Sequence, residues 1–384
     1  MSAGPLSSAR RIAPLAAALA EQTERDRALP PELIGELREA GMFHLCLPRS
    51  QGGPEAEPAE MFEALEALAR GDGASAWCAM VASTSSLLGA YLQPQRAGEI
   101  FDGGRSVAAG VFAPRGAATP EGEEFTVAGR WSFVSGIGHS DWVFCGCIVN
   151  DADGPQLLEG GRPDVRLMAM PRSEVEVIDT WSVAGLCGTG SHDVSADRRA
   201  VPAGRGVSLF SQRPLEPGPL YAFPLFGLLA LGICAVSLGI ARGALDELGT
   251  LAGAKRPAPG ARSLAERPVV QSDLARAEAA LRAARALALD QIGAAWSAAE
   301  AGRELTDELR LGLRLAATHG TETAAAVATT AYRAGGGSSI YSSSPLQRRF
   351  RDANVATQHM MVAPPTWELA GRLLLGQPTD TSQL

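Results

Sequence analysis

The texture of the chain changes twice, near Gly103 and again near Pro219, and that order limits the fold more than any single motif does. Before the first change, apolar residues recur at helical spacing. Leu29-Pro30-Pro31-Glu32 opens a helix with prolines in its first turn, where a missing N–H is no loss, and Leu33, Ile34, Leu37 and Met42 continue it. Two more helical stretches, Ala59–Arg70 and Ala74–Leu92, flank the break at Gly71-Asp72-Gly73. Between the two changes lie short runs rich in β-branched and aromatic residues: Ser106–Phe112, Glu124–Phe133, Trp142–Val149, Val165–Met170, Val175–Ile178 and Gly190–Val201. Turn residues such as Pro120–Glu123, Asp151–Pro155 and Gly160–Pro163 separate them, which is the pattern of a compact β unit. After Pro219 the period becomes helical again in Pro268–Ala301 and Leu305–Ala334. Gly335–Ser339 interrupts it, and a last helix starts near Pro345. The expectation is an α+β chain of three domains: helical over 1–103, β over 104–215 and helical over 216–384.

Composition removes several classes of function. Hydrophobic residues make up 46% and charged ones 20%, the balance of a soluble globular protein. The net charge is −8 and no basic cluster tracks along the chain, which argues against nucleic acid and anionic membranes as partners. Tyr221–Ala241 carries no charge and is long enough to span a bilayer, but Pro224, Gly227, Gly232 and Gly239 suit a core helix packed closely by neighbours. Arg10-Arg11 precede an apolar run, yet no cleavage-site pattern follows and Glu21, Glu24 and Arg25 continue an amphipathic helix. The six cysteines form no C-x-x-C pair and have no metal-ligand spacing; they are expected as core residues of a cytoplasmic protein.

Four motifs carry a family likeness that covers essentially the whole chain. They are Gly129-Arg130-Trp131-Ser132-Phe133-Val134-Ser135-Gly136, Asp179–Val194 with its glycines and hydroxyls, Lys255-Arg256 followed by Leu264–Gln271, and the Gly-rich turn from Ala334 to Pro345 that leads into Arg348, Arg351 and Asp352. With the helical–β–helical order, these resemble the acyl-CoA dehydrogenase superfamily. The resemblance implies an N-terminal helical domain, a middle β-barrel and a C-terminal four-helix bundle. It implies that Phe133 packs beside a flavin ring while Ser135, facing the same way two residues on along a strand, addresses flavin N5. Thr189 and Ser191 supply hydroxyls near the flavin, and His192 points the other way as a structural residue. Arg256 and Gln271 reach the flavin phosphates of a neighbouring subunit, Gly335 and Gly336 let backbone approach an anion, and Arg351 with Asp352 forms a structural pair.

One departure decides the reaction. Dehydrogenases of this family commonly carry a glutamate base eight residues after the aspartate, and here that position is Met360. A thioether cannot accept a proton, so α,β-dehydrogenation by that route is closed. The loop that normally lies beside acyl-CoA is replaced by Phe112–Thr119. Beside Met360, His359 looks like the histidine that flavin-dependent monooxygenases of this fold, such as dibenzothiophene monooxygenase and the oxygenase component of 4-hydroxyphenylacetate hydroxylase, carry on this helix facing the flavin. With an ordinary pKa near 6.5, His359 could accept or donate a proton near neutral pH. The resemblance then implies a hydroxylase that oxygenates a small aromatic or heteroatom-containing substrate through a C4a-hydroperoxyflavin, using O₂ and reduced flavin, FMNH₂ or FADH₂. Ser135 and His359 are its catalytic residues. No G-x-G-x-x-G follows a strand, so a separate NAD(P)H:flavin reductase is expected, and the family implies a homotetramer. Two alternatives stay open: an FAD-dependent dehydrogenase or oxidase with a relocated base, and a non-catalytic scaffold of the same fold.

Overall fold

The structure, a computed structural model, describes residues 4–256 and 262–384. Pro257 to Pro259, which follow the expected phosphate-binding Arg256, lie outside the described residues.

The N-terminal helices are α1 (Pro5–Asp26), α2 (Pro31–Glu39), α3 (Pro58–Gly71), α4 (Gly73–Ser86) and α5 (Pro94–Phe101). Four of the five start with proline in the first turn, where its missing N–H would have no helical partner anyway. The break between α3 and α4 falls at Asp72, whose buried carboxylate accepts from Ser75 N and Ser75 Oγ and so caps α4.

The strands are β1 (Ala108–Glu121), β2 (Glu124–Trp131), β3 (Trp142–Asp151), β4 (Gly154–Pro155), β5 (Val165–Pro171), β6 (Glu176–Ile178), β7 (Asp193–Pro202) and β8 (Gly206–Val207). They form one mixed sheet in the order β6-β7-β2-β1-β3-β5-β8, with β4 on β3; β1 and β3 run parallel. The expected barrel is this sheet curled round a core of its own, in which Val127, Trp131, Val143, Cys145, Cys147, Met168 and Val194 are fully buried. Trp131 is the plug. Its indole donates to Gly146 O at 2.7 Å and lies over Gly116, where a Cβ would stand 2.2 Å from the ring.

Phe112–Thr119 is not a loop but the middle of β1. The pairing of β1 with β3 shifts register between Val111 and Gly116, a bulge that takes Pro114 out of the ladder. Proline and glycine signal a turn in a sequence, whereas here they mark an irregularity within a strand.

The C-terminal helices are α6 (Pro219–Ala222), α7 (Leu225–Ala254), α8 (Pro268–Glu300), α9 (Asp307–Gly335), α10 (Pro345–Ala356) and α11 (Pro365–Leu374). α7 to α10 make the bundle, and α7 is buried along most of its length. Its most apolar stretch has a mean hydropathy of 2.0, and protein covers most of it. α3 crosses it so closely that a Cβ on Gly239 would lie 2.3 Å from Glu66 O. α10 is fastened to the end of α3 by buried Arg349, which donates to the carbonyls of Ala69, Arg70 and Gly71 and so satisfies last-turn groups that have no helical partner. The N-terminal and C-terminal helices thus share one core, and the sheet keeps another beside it.

Candidate active site

The end of β2, the approach to β7, α4 and the turn after α10 meet where the two cores adjoin. β2 stops at Trp131, so Phe133 and Ser135 are not alternate residues of a strand. Phe133 adopts φ 66°, a left-handed conformation that bulky residues rarely take, and Ser135 N turns back onto Phe133 O. The two side chains consequently part: Phe133 is 71% exposed, while Ser135 is buried. Trp181 stands edge-on to Phe133 at 6.1 Å and leaves the other side of the ring open. A bulky apolar ring held in a strained conformation and exposed on one side fits a platform for a flat aromatic group.

Behind it three hydroxyls are linked. Ser135 Oγ lies 2.7 Å from Ser191 Oγ, Ser191 Oγ lies 2.6 Å from Thr189 Oγ1, and Thr189 Oγ1 donates to Leu186 O at 2.8 Å. Gly190, at φ 51°, places Thr189 and Ser191 on the same side, so β7 begins only at Asp193 rather than at Gly190. His192 turns the other way, with Nδ1 3.3 Å from Asp179.

Trp77 of α4 joins this group to the histidine. Its Nε1 donates to Ser135 Oγ at 3.2 Å, and its ring meets His359 edge-on at 5.8 Å. α10 ends at Ala356, so His359 and Met360 sit on the turn before α11 and not on a helix; Pro364 and Pro365 then start the new direction. Met361 N donates to His359 Nδ1 at 3.2 Å, which leaves the ring proton on Nε2. Burial, with the Arg314 guanidinium nearby, lowers the imidazole pKa to about 4, so the ring is neutral at physiological pH. Its one free polar atom is therefore a donor. Met360 is 66% exposed.

Arg351 and Asp352 do not pair with each other. Arg351 donates to Ala184 O and Glu24, while Asp352 accepts from Leu186 N at 2.6 Å. Each grips the turn that carries Thr189. Burial raises the Asp352 carboxyl to about 7.

The remaining residues collect elsewhere. Lys255 Nζ donates to Gly335 O at 2.6 Å, which joins the basic loop to the Gly-rich turn; Gly336 at φ 58° lies against the same ammonium. Arg256 contributes to the field that lowers the Glu266 carboxyl. Gln271 donates to Ala265 O and lines a groove between α7 and α8 with Arg242, Asp246 and Glu278. Sequence reasoning passed over Trp77 as a site residue and missed Trp181 and Arg314. The signal for Trp77 was a tryptophan in a helix of small residues, whose buried N–H must find an acceptor.

This fold and this set of groups define a class, a three-part flavoprotein fold without the dehydrogenase's base. Residues 7–93 match the family described as "Acyl-CoA dehydrogenase, N-terminal domain", and residues 231–364 match "Acyl-CoA dehydrogenase, C-terminal domain". The chain is 33% identical over 356 residues to an indole-3-acetate monooxygenase of Pseudomonas putida, covering 92% of this chain and 89% of that one. It is 28% identical over 381 residues to the oxygenase component of an FADH(2)-dependent resorcinol hydroxylase of Rhizobium sp., covering 94% and 91%. The crystal structure of 3-HSA hydroxylase from Rhodococcus sp. RHA1 matches with a TM-score of 0.91 at 25% identity over 100% of both chains. The chain belongs to the acyl-CoA dehydrogenase superfamily. Within it, the protein is a flavin-dependent monooxygenase, an oxidoreductase that uses reduced flavin and O₂ and is served by a separate flavin reductase.

Proposed function

We propose that this oxygenase component hydroxylates a small aromatic substrate, with Ser135 placed at flavin N5 and His359 holding the substrate's oxygen or nitrogen by a hydrogen bond from Nε2. The observation that carries this reading is the linked trio Ser135–Trp77–His359 beside the open face of Phe133, with Met360 where a base would stand. Bound reduced flavin supplies the activation of O₂, which no amino-acid side chain can provide. Phe133 and Trp181 shield one side of the ring plane, and Ser135 holds the proton at N5. His359, neutral and fixed by Met361 N, orients the substrate without adding a charge. Relatives named for indole-3-acetate and resorcinol support an aromatic substrate. The reductase draws its electrons from NAD(P)H. The assembly is a homotetramer in which Arg256, Gln271, Gly335 and Gly336 of one subunit serve the flavin phosphates of another.

The test is reductase-coupled turnover with NADH, O₂ and a panel of indoles and phenols, read as hydroxylated product per O₂ consumed. Product should form with at least one of these compounds and fall roughly tenfold to a hundredfold in His359→Ala, the scale of a buried hydrogen-bond partner left unmet. Anaerobic desaturation of an acyl thioester, with no oxygenation of any aromatic, would defeat the reading.

A further inference from the structure

The hydroxyl chain behind Phe133 has a direction, and the direction is fixed at its far end. Leu186 O can only accept, so its 2.8 Å contact with Thr189 Oγ1 uses the one proton Thr189 has. Thr189 can then only accept from Ser191 at 2.6 Å, which uses the proton of Ser191. Ser191 in turn can only accept from Ser135 at 2.7 Å. Ser135 has no proton left to give. It already accepts from Trp77 Nε1 at 3.2 Å, which leaves it a single lone pair. The opposite order would set two lone pairs against each other at 2.8 Å between Thr189 and Leu186. All three hydroxyls are buried, at 2% exposure for Thr189 and Ser191 and 6% for Ser135, so bulk water does not reset the order.

We propose that Thr189 and Ser191 are positioning residues that make Ser135 an obligate acceptor, and that the site thereby selects reduced over oxidised flavin. This rests on the reading that Ser135 faces N5. Reduced flavin carries a hydrogen on N5 and meets the remaining lone pair of Ser135 as a donor. Oxidised flavin presents a lone pair there, and the two acceptors repel. A two-component oxygenase needs this discrimination, because its reductase releases reduced flavin into a pool that also contains the oxidised form. Thr189→Val removes the anchor, so Ser191 can turn its proton to Ser135, and Ser135 can turn its own to an oxidised N5.

The experiment measures dissociation constants of reduced and oxidised FMN and FAD for the full chain, anaerobically and without turnover. Wild type should bind the reduced form of its flavin more tightly. Thr189→Val, and independently Ser191→Ala, should compress the oxidised-to-reduced ratio by roughly tenfold, as expected for one buried hydrogen bond made or lost. For the bound two-electron couple that is about 30 mV toward the potential of free flavin. Thr189→Ser restores the anchoring hydroxyl and should return the ratio to wild type. A ratio unmoved by Thr189→Val and Ser191→Ala, in a protein where Ser135→Ala does compress it, overturns the proposal. A ratio unmoved by Ser135→Ala as well removes Ser135 from N5, and the inference falls with that assignment.

Discussion

His359 keeps one free polar atom, Nε2, because Met361 N holds the other ring nitrogen. Its place after Asp352 marked it as a site residue, and an ordinary imidazole there could give or take a proton near neutrality. The fold removes half of that choice. Met361 N occupies Nδ1, and burial with Arg314 nearby brings the pKa to about 4, so only a neutral donor remains. Rate profiles should therefore show no limb near pH 6.5 arising from this residue, and His359→Gln, which keeps an N–H donor, should retain more hydroxylation than His359→Ala. The stability effect has a definite sign. The unfolded histidine takes its proton near pH 6.5 and the folded one only near 4, so stability falls as pH drops through that window. Asp352 acts in the opposite sense. Its folded pKa of about 7 lies above the unfolded value of 3.8, so its contribution is complete at low pH and is lost as pH rises toward and through 7. Asp352→Asn keeps an oxygen for Leu186 N and is expected to raise the urea midpoint relative to wild type at pH 8 but not at pH 4. A midpoint lowered equally at both would mean the carboxylate is held as an ion. Tautomer and pKa were invisible in the sequence because the first depends on how the turn folds Met361 N back onto the ring, and the second on burial of the ring and on Arg314 of a distant element, α9.

Among the elements, legibility followed regularity. α7 was readable as a core helix from its small residues, and the close crossing at Gly239 is the physical reason they are small. Gly239→Ala should cost about 1–3 kcal/mol, since neither Glu66 O nor the α3 backbone can yield without moving a helix. Thermal unfolding of the variant tests this, and Gly249→Ala, with nothing within 4 Å, is the control expected to be neutral or stabilising. What the sequence hid were the irregular places: the bulge in β1, the left-handed turn at Phe133, and the turn that carries His359. Each breaks the period of its own element because another element dictates it. The His359 turn is held from α9, where buried Arg314 donates to Met361 O at 2.9 Å, Thr366 Oγ1 at 3.3 Å and Gln383 O. Burial lowers its pKa to about 10, still well above neutrality. Arg314→Gln leaves two or more of these acceptors unmet and should destabilise the fold by about 2–4 kcal/mol. It should also loosen Met361, whose N–H fixes His359 Nδ1, so product per O₂ falls while flavin affinity holds.

At the scale of the molecule, the residues singled out from the sequence separate into two groups. Phe133, Ser135, Thr189, Ser191 and His359 converge through Trp77 and the hydroxyl chain. Gly335 and Gly336 gather at Lys255, beside Arg256, while Gln271 lies in the α7–α8 groove with contacts of its own. A flavin needs a ring site and a phosphate site together, and in the proposed tetramer two subunits supply them. The proposed tetramer therefore makes a prediction that an isolated chain does not. Ser135→Ala damages the ring site of a subunit and a double change, Arg256→Ala with Gln271→Ala, damages its phosphate site. Each should leave little activity alone. Co-expressed, the two chains assemble interfaces where an intact ring site from one faces an intact phosphate site from the other, so activity should return to roughly a quarter of wild type if pairing is random. Light scattering should show particles of about four times 39.9 kDa. Particles of that mass whose hybrids stay as inactive as their parents would mean that each flavin is bound within a single subunit.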